Sequence, residues 1–78
     1  PDEMPQITYS LDGGTILLAK ALTESALTKS NGEARRAIDQ GGVKMNGERV
    51  SDVNCELTSV GEYIVQIGKR RFVRIIVQ

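Results

Sequence analysis

Between Ser30 and Gly47 the chain carries a helix start, a helix stop and a tight hairpin turn in close succession. Ser30 and Glu33 have the spacing of a capping box. The hydroxyl is expected to accept from the Glu33 amide while the carboxylate reaches back to Ser30. Ala34, Ala37 and Ile38 then supply a buried stripe, and Gly41 suits the left-handed position that closes a helix. At about 100° per residue, Arg36 projects nearly opposite that stripe, and Arg35 flanks it within reach of Asp39 at i+4. Val43 and Met45 next alternate with Lys44, Asn46-Gly47 is a strong turn dipeptide, and Val50 resumes the apolar side, so residues 43–50 read as a hairpin.

The flanking segments fill out one domain. Residues 15–24 predict a first helix, with Leu17, Leu18, Ala21 and Leu22 on one stripe, Lys20 pointing away, and Ala26 and Leu27 in the connection. Residues 1–5 read as an acidic linker between prolines, residues 6–10 as a short strand, and Asp12-Gly13-Gly14 as a turn. Residues 51–62 are turn-rich, with at most a short strand. A second hairpin spans residues 63–77. An odd-length loop at its tip puts Tyr63, Val65, Ile67, Val73, Ile75 and Val77 on one face, which favours the three residues Gly68-Lys69-Arg70. The expected class is α+β: two packed helices followed by a small antiparallel β-sheet, with the helices on one side of it.

Seventy-eight residues make one domain with a small core. There is no His, so neither a His-based triad nor a typical zinc site can be assembled. Cys55 is alone, and Gly13-Gly14 and Gly41-Gly42 lack the spacing of a phosphate or dinucleotide loop. Catalysis and a bound cofactor are therefore not expected in this chain. No apolar run approaches the roughly 20 residues of a membrane-spanning helix, and no leader is visible. A lone thiol fits a reducing compartment, and the cytoplasm is the expected location.

Net charge is zero, but it is unevenly distributed. Residues 1–12 hold Asp2, Glu3 and Asp12 without a base, whereas residues 63–78 hold Lys69, Arg70, Arg71 and Arg74 without an acid. Local field, not overall charge, governs binding to phosphates. Three polar groups are candidates for such a surface. The first is the helix start, Lys29, Ser30, Asn31 and Gly32, followed by Arg35 and Arg36; free amides and the positive dipole end make such a start a phosphate site. The second is Lys44, Asn46 and Arg49 on the Asn-Gly hairpin. The third is the tip Lys69, Arg70 and Arg71. Each has a structural explanation when taken singly, since caps end helices and basic tips guard sheet edges. Tyr9, Tyr63 and Phe72 are candidates either for stacking on bases or for the core.

The succession Glu33-Ala34-Arg35, then Gly42-Val43-Lys44-Met45-Asn46-Gly47, resembles the hallmark of the S-four-type RNA-binding domain, also called the αL motif. With the first helix included, the likeness covers residues 15–52. Ile67-Gly68-Lys69-Arg70-Arg71-Phe72 is similar to the terminal hairpin of the C-terminal domains of bacterial-type tyrosyl-tRNA synthetases. The resemblance implies an S-four-like domain at residues 15–78, comprising a core motif at 15–52 and a terminal loop and hairpin at 53–78, preceded by a linker and short strand at 1–14. It implies tyrosine tRNA as partner, held near its long variable arm, a separate catalytic domain in the same parent chain, and a homodimeric parent. Lys29, Ser30, Asn31, Arg35, Arg36, Lys44, Asn46, Arg49, Lys69, Arg70 and Arg71 would contact the RNA. Three positions depart from the pattern. Asn31 and Asp39 stand where basic residues are frequent, and Ala26 replaces a common Gly before Leu27. A pseudouridine synthase, a free-standing ribosome-rescue protein and a protein-docking module remain alternatives at this point.

Overall fold

The computed structural model describes residues 4–12 and 14–78. Its elements are strands β1 (Gln6–Tyr9) and β2 (Ile16–Leu17), helices α1 (Leu18–Glu24) and α2 (Asn31–Asp39), and strands β3 (Val43–Met45), β4 (Glu48–Arg49), β5 (Glu56–Leu57), β6 (Gly61–Ile67) and β7 (Arg71–Val77). Five strands form one sheet in the order β1-β7-β6-β3-β4, and β2 pairs with β5 in a separate ribbon. The expected linker residues 1–3 and Gly13 lie outside the described residues.

Helix α2 forms where its signals put it. Ser30 is extended (φ −155°, ψ 162°), and its hydroxyl accepts from the Glu33 amide at 3.1 Å. The reciprocal arm of the box is not made: among the described residues the Glu33 carboxylate accepts no hydrogen bond from Ser30. Gly41 takes φ 77°, and its amide and that of Gly42 close on the carbonyls of Ile38 and Ala37 at 3.0 and 2.9 Å. That pair of bonds is a Schellman termination. Helix α1 ends in the same motif, with Ala26 at φ 65° in the left-handed position. The Ala26 and Leu27 amides donate to Thr23 and Leu22, each at 3.0 Å.

The sheet corrects two expectations. It is not purely antiparallel: β1 lies parallel to β7, with Ile7 opposite Ile75 and Tyr9 opposite Val77. The long β6–β7 hairpin leaves one edge of β7 open, and the alternating strand β1 covers it. The first helix is also shorter at its start than expected. Ile16 and Leu17 are extended and pair with Leu57 and Glu56, so the helix begins at Leu18. The β6–β7 turn has the three residues that parity requires, with Ile67 opposite Arg71.

Sheet residues Val43, Val65, Ile67, Val73, Ile75 and Val77 meet Leu18, Ala21, Leu22, Ala34 and Ile38 from the helices in one hydrophobic cluster. Leu18, Leu22 and Ile38 are wholly enclosed. Each such side chain contributes about 1.5–3 kcal/mol relative to exposure. The buried Thr28 hydroxyl is satisfied by Thr23 Oγ1 and the Ser30 carbonyl. Among the described residues no helix is long and apolar enough to cross a membrane.

Candidate nucleic-acid interface

The eleven residues singled out in the sequence are all solvent-exposed. Among the described residues only one ion pair forms, between Arg74 and Glu62 at 3.3 Å, and it involves none of the eleven. The expected Arg35–Asp39 pair is not made. Among the described residues, Lys29, Arg35, Arg36, Lys44, Arg49, Lys69 and Arg70 have no carboxylate partner.

The helix start is built by the Ser30 cap. Ser30 Oγ serves the Glu33 amide and the Ser30 carbonyl serves Ala34, which leaves the first-turn amides of Asn31 and Gly32 outside the helix ladder. A Cβ at Gly32 would meet nothing nearer than Ser30 Oγ at 3.8 Å, so the glycine keeps that end of α2 open without being sterically required. Lys29 stands beside it, and Arg35 and Arg36 continue along the exposed side of α2.

In the β3–β4 hairpin, Asn46 (φ 52°) and Gly47 (φ 86°) form the turn. Positive φ at both central residues marks it as type I′. Asn46 has a second role that its sequence does not announce. Its amide donates to the Ile64 carbonyl at 2.8 Å, and its Oδ1 accepts from the Ile64 amide at 2.9 Å. The side chain therefore clamps the hairpin onto β6, leaving only its NH₂ group for another partner. Lys44 lies opposite Arg49 on one side and Gln66 on the other. The end of Arg49 runs alongside Gly41, whose Cβ position is 3.5–3.7 Å from Arg49 Cδ, Nε and Cζ. A cation there faces the negative end of the α2 dipole.

The third group is joined to the other two by hydrogen bonds. Arg71 Nη1 donates to the Leu27 carbonyl at 2.8 Å, which ties the base of the β6–β7 tip to the connection that carries Lys29. The Gly68 amide donates to the Gly42 carbonyl at 3.0 Å, which ties the tip to the end of α2. Gln66 Nε2 closes the turn from within, donating to the Gly68 and Lys69 carbonyls at 2.9 and 3.4 Å. Lys69 and Arg70 are thereby presented on a pinned loop.

Comparison with known proteins bears on what such a surface serves. Residues 1–75 match the family described as the tyrosine–tRNA ligase SYY-like C-terminal domain. The chain belongs to that family. It is 55% identical to the tyrosine–tRNA ligase of Geobacter metallireducens over 76 residues, covering 97% of this chain and 19% of that protein. The corresponding protein of Geobacter sulfurreducens is 55% identical over 75 residues, covering 96% of this chain and 19% of the relative. That of Methylococcus capsulatus is 40% identical over 75 residues with the same two shares. The chain thus spans about a fifth of the length of the curated relatives it matches. Membership in the ligase family separates it from the pseudouridine-synthase and ribosome-rescue alternatives. The matched span takes in β1 as well as the helices, the first hairpin and the second hairpin as far as Ile75.

In this member of the ligase-domain family the aromatic residues divide. Tyr9 and Tyr63 pack against the core. Tyr9 donates its hydroxyl to Glu24, and Tyr63 donates to the Ser59 carbonyl at 2.7 Å. Burial, followed by the Glu24 contact, pushes the Tyr9 hydroxyl pKa well up. The Cys55 thiol is also pushed up, by burial first and then by Asp52 and Glu56. Neither residue belongs to the basic surface. Phe72, Ile64 and Ile76 are only partly buried and stand outside the core cluster, on the sheet face away from the helices. Strand parity carries the signal for this: the pattern that turns Val73 and Ile75 inward turns Phe72 outward.

Proposed function

We propose that the chain is a non-catalytic tRNA-binding module of a tyrosine–tRNA ligase. It grips the sugar–phosphate backbone of tyrosine tRNA in the region of the long variable arm. The grip orients the acceptor end for tyrosylation by a catalytic domain elsewhere in the parent, an ATP-dependent ligase. Residues 15–78 form the S-four-like domain that carries the RNA contacts, and residues 1–14 are a linker and short strand. The parent works as a homodimer in the cytoplasm.

The observation that carries this reading is the joining of three basic segments that, among the described residues, have no carboxylate partner. The Arg71–Leu27 and Gly68–Gly42 hydrogen bonds hold the hairpin tip against the elements bearing Lys29, Arg36, Lys44 and Arg49. Contacts from such groups position a nucleic acid without reading its bases. Shape would dominate recognition, because the A-form major groove is too narrow for side chains.

Binding of tyrosine tRNA, followed by anisotropy across a salt series, tests the proposal. With four to six phosphates neutralised, log K should fall with log salt at a slope of about −3 to −5. Arg36→Glu and Lys69→Glu should each weaken all RNAs of that shape alike and flatten the slope. Wild-type affinity in both variants, or binding indifferent to salt, would refute the assignment.

A further inference from the structure

Resting on the tRNA-binding reading, we propose that the sheet face away from the helices holds a subsite for one unpaired nucleotide, with Phe72 as the stacking surface and Lys44 as the phosphate contact. Solvent-facing sides of antiparallel sheets ordinarily alternate polar residues outward. Here Ile64, Phe72 and Ile76 interrupt that pattern on β6 and β7, and the helices lie on the other side.

The register sets the geometry. Phe72 is opposite Gln66, Gln66 is opposite Lys44, and Lys44 is opposite Arg49. These four residues therefore form one transverse row across β7, β6, β3 and β4, about 14 Å from end to end at about 4.8 Å per strand. The Arg49 side chain turns to Gly41 at the end of α2, so Lys44, two strands from Phe72, is the cation of the row, and the row contains no carboxylate. The acid of β6 that shares this face, Glu62, is held by Arg74. Gln66 is drawn sideways over the Gly68 and Lys69 carbonyls, so its amide lies toward the tip. Ile64 lies diagonally beside Phe72 and supports its flank.

An aromatic surface flanked by cations suits single-stranded nucleic acid, because every base has a stacking face and every linkage a negative charge. A protein partner for this face would need a carboxylate aimed at Lys44. An RNA already gripped by the adjoining tip supplies the complementary charge without further requirement. The subsite also differs in kind from the backbone grip, since it asks for a base that is out of its stack.

The test uses two RNAs with the same stem: one carries 2-aminopurine at a single bulged position, and the other is fully paired. With the wild-type chain the bulged probe should bind more tightly and its fluorescence should be quenched. Phe72→Leu should weaken the bulged RNA by about tenfold and abolish the quench, yet leave the paired RNA within about twofold. Phe72→Trp should restore both. Thermal melting of each variant establishes that it is folded. Equal effects of Phe72→Leu on the two RNAs, or none on either, would overturn the subsite. A Phe72→Leu change that spares both affinities but destabilises the full-length ligase more than this chain would assign the face to packing within the parent, and would overturn it too. If the wild-type chain binds neither RNA, the tRNA-binding reading fails as well. If it binds both equally through Arg36 and Lys69, only the subsite fails.

Discussion

Helices α1 and α2 close with the same pair of hydrogen bonds, but one places Ala26 and the other Gly41 at the left-handed residue. Ala26→Gly isolates the consequence. An L-residue in that conformation costs about 1–2 kcal/mol, because Cβ crowds the following carbonyl. Glycine removes this cost but gains freedom in the unfolded chain, which returns about 0.4–1 kcal/mol. Ala26 is exposed, so deleting its methyl group sacrifices no core packing. The net expectation is a gain of about 0.5–1 kcal/mol. For a domain of this size that corresponds to a melting temperature higher by about 2–8 °C. Gly41→Ala is the mirror experiment. Its Cβ would meet Arg49 Cδ at an ordinary 3.5 Å, so the change tests backbone conformation rather than a clash, and it should lose about 1 kcal/mol. Thermal melting and urea titration by circular dichroism measure both variants. A shifted midpoint with an unchanged m-value confines the effect to stability. An Ala26→Gly variant that melts at or below the wild type with the same m-value would refute the strain argument.

Ser30→Ala removes the acceptor of the Glu33 amide and should lower stability by about 1 kcal/mol, read as a lower urea midpoint. Asn46→Ala strips the Ile64 amide of its acceptor and leaves a non-glycine side chain at φ 52°; a loss of about 1–3 kcal/mol in the same titration is expected. The raised Tyr9 and Cys55 values give an alkaline limb. Their contribution is fully present below the ordinary thiol value of 9.0. As pH climbs past it, and then past the ordinary phenol value of 10.0, the unfolded chain releases protons that the folded chain retains, so stability falls. Melting temperatures from pH 8 to 11 should decline accordingly, and Tyr9→Phe should flatten the decline above pH 10. A steeper decline in that variant would contradict the assignment.

Sequence by itself determined the features whose physics is local. A Ser cap three residues before Glu33 and a Gly at the left-handed stop bound α2, because both act through backbone groups within one turn. Asn46-Gly47 is one of the few pairs that accept two positive φ angles in a row, so the hairpin was legible too. Parity from Tyr63 to Val77 sufficed to give the three-residue tip, since a two-residue tip would have turned half the valines and isoleucines into water. The candidate residues, cations together with Ser30, Asn31 and Asn46, were legible as exposed positions on or beside those same elements.

Tertiary structure decided what distant segments do for one another. Nothing near Gln6–Tyr9 specifies that it runs parallel to β7, because the open edge that receives it is made by residues more than sixty positions away. Leu17 has the right periodicity for a helix and Ile16 falls within its expected bounds, yet pairing with β5 draws both into a strand. Asn46 reads as a turn residue and Arg71 as one more basic tip residue. Only the folded chain brings the Ile64 amide to the first and the Leu27 carbonyl to the second. Hydrogen bonds of this kind depend on which polar groups are left unpaired when the sheet closes. That is a property of the assembled surfaces, not of any window of sequence.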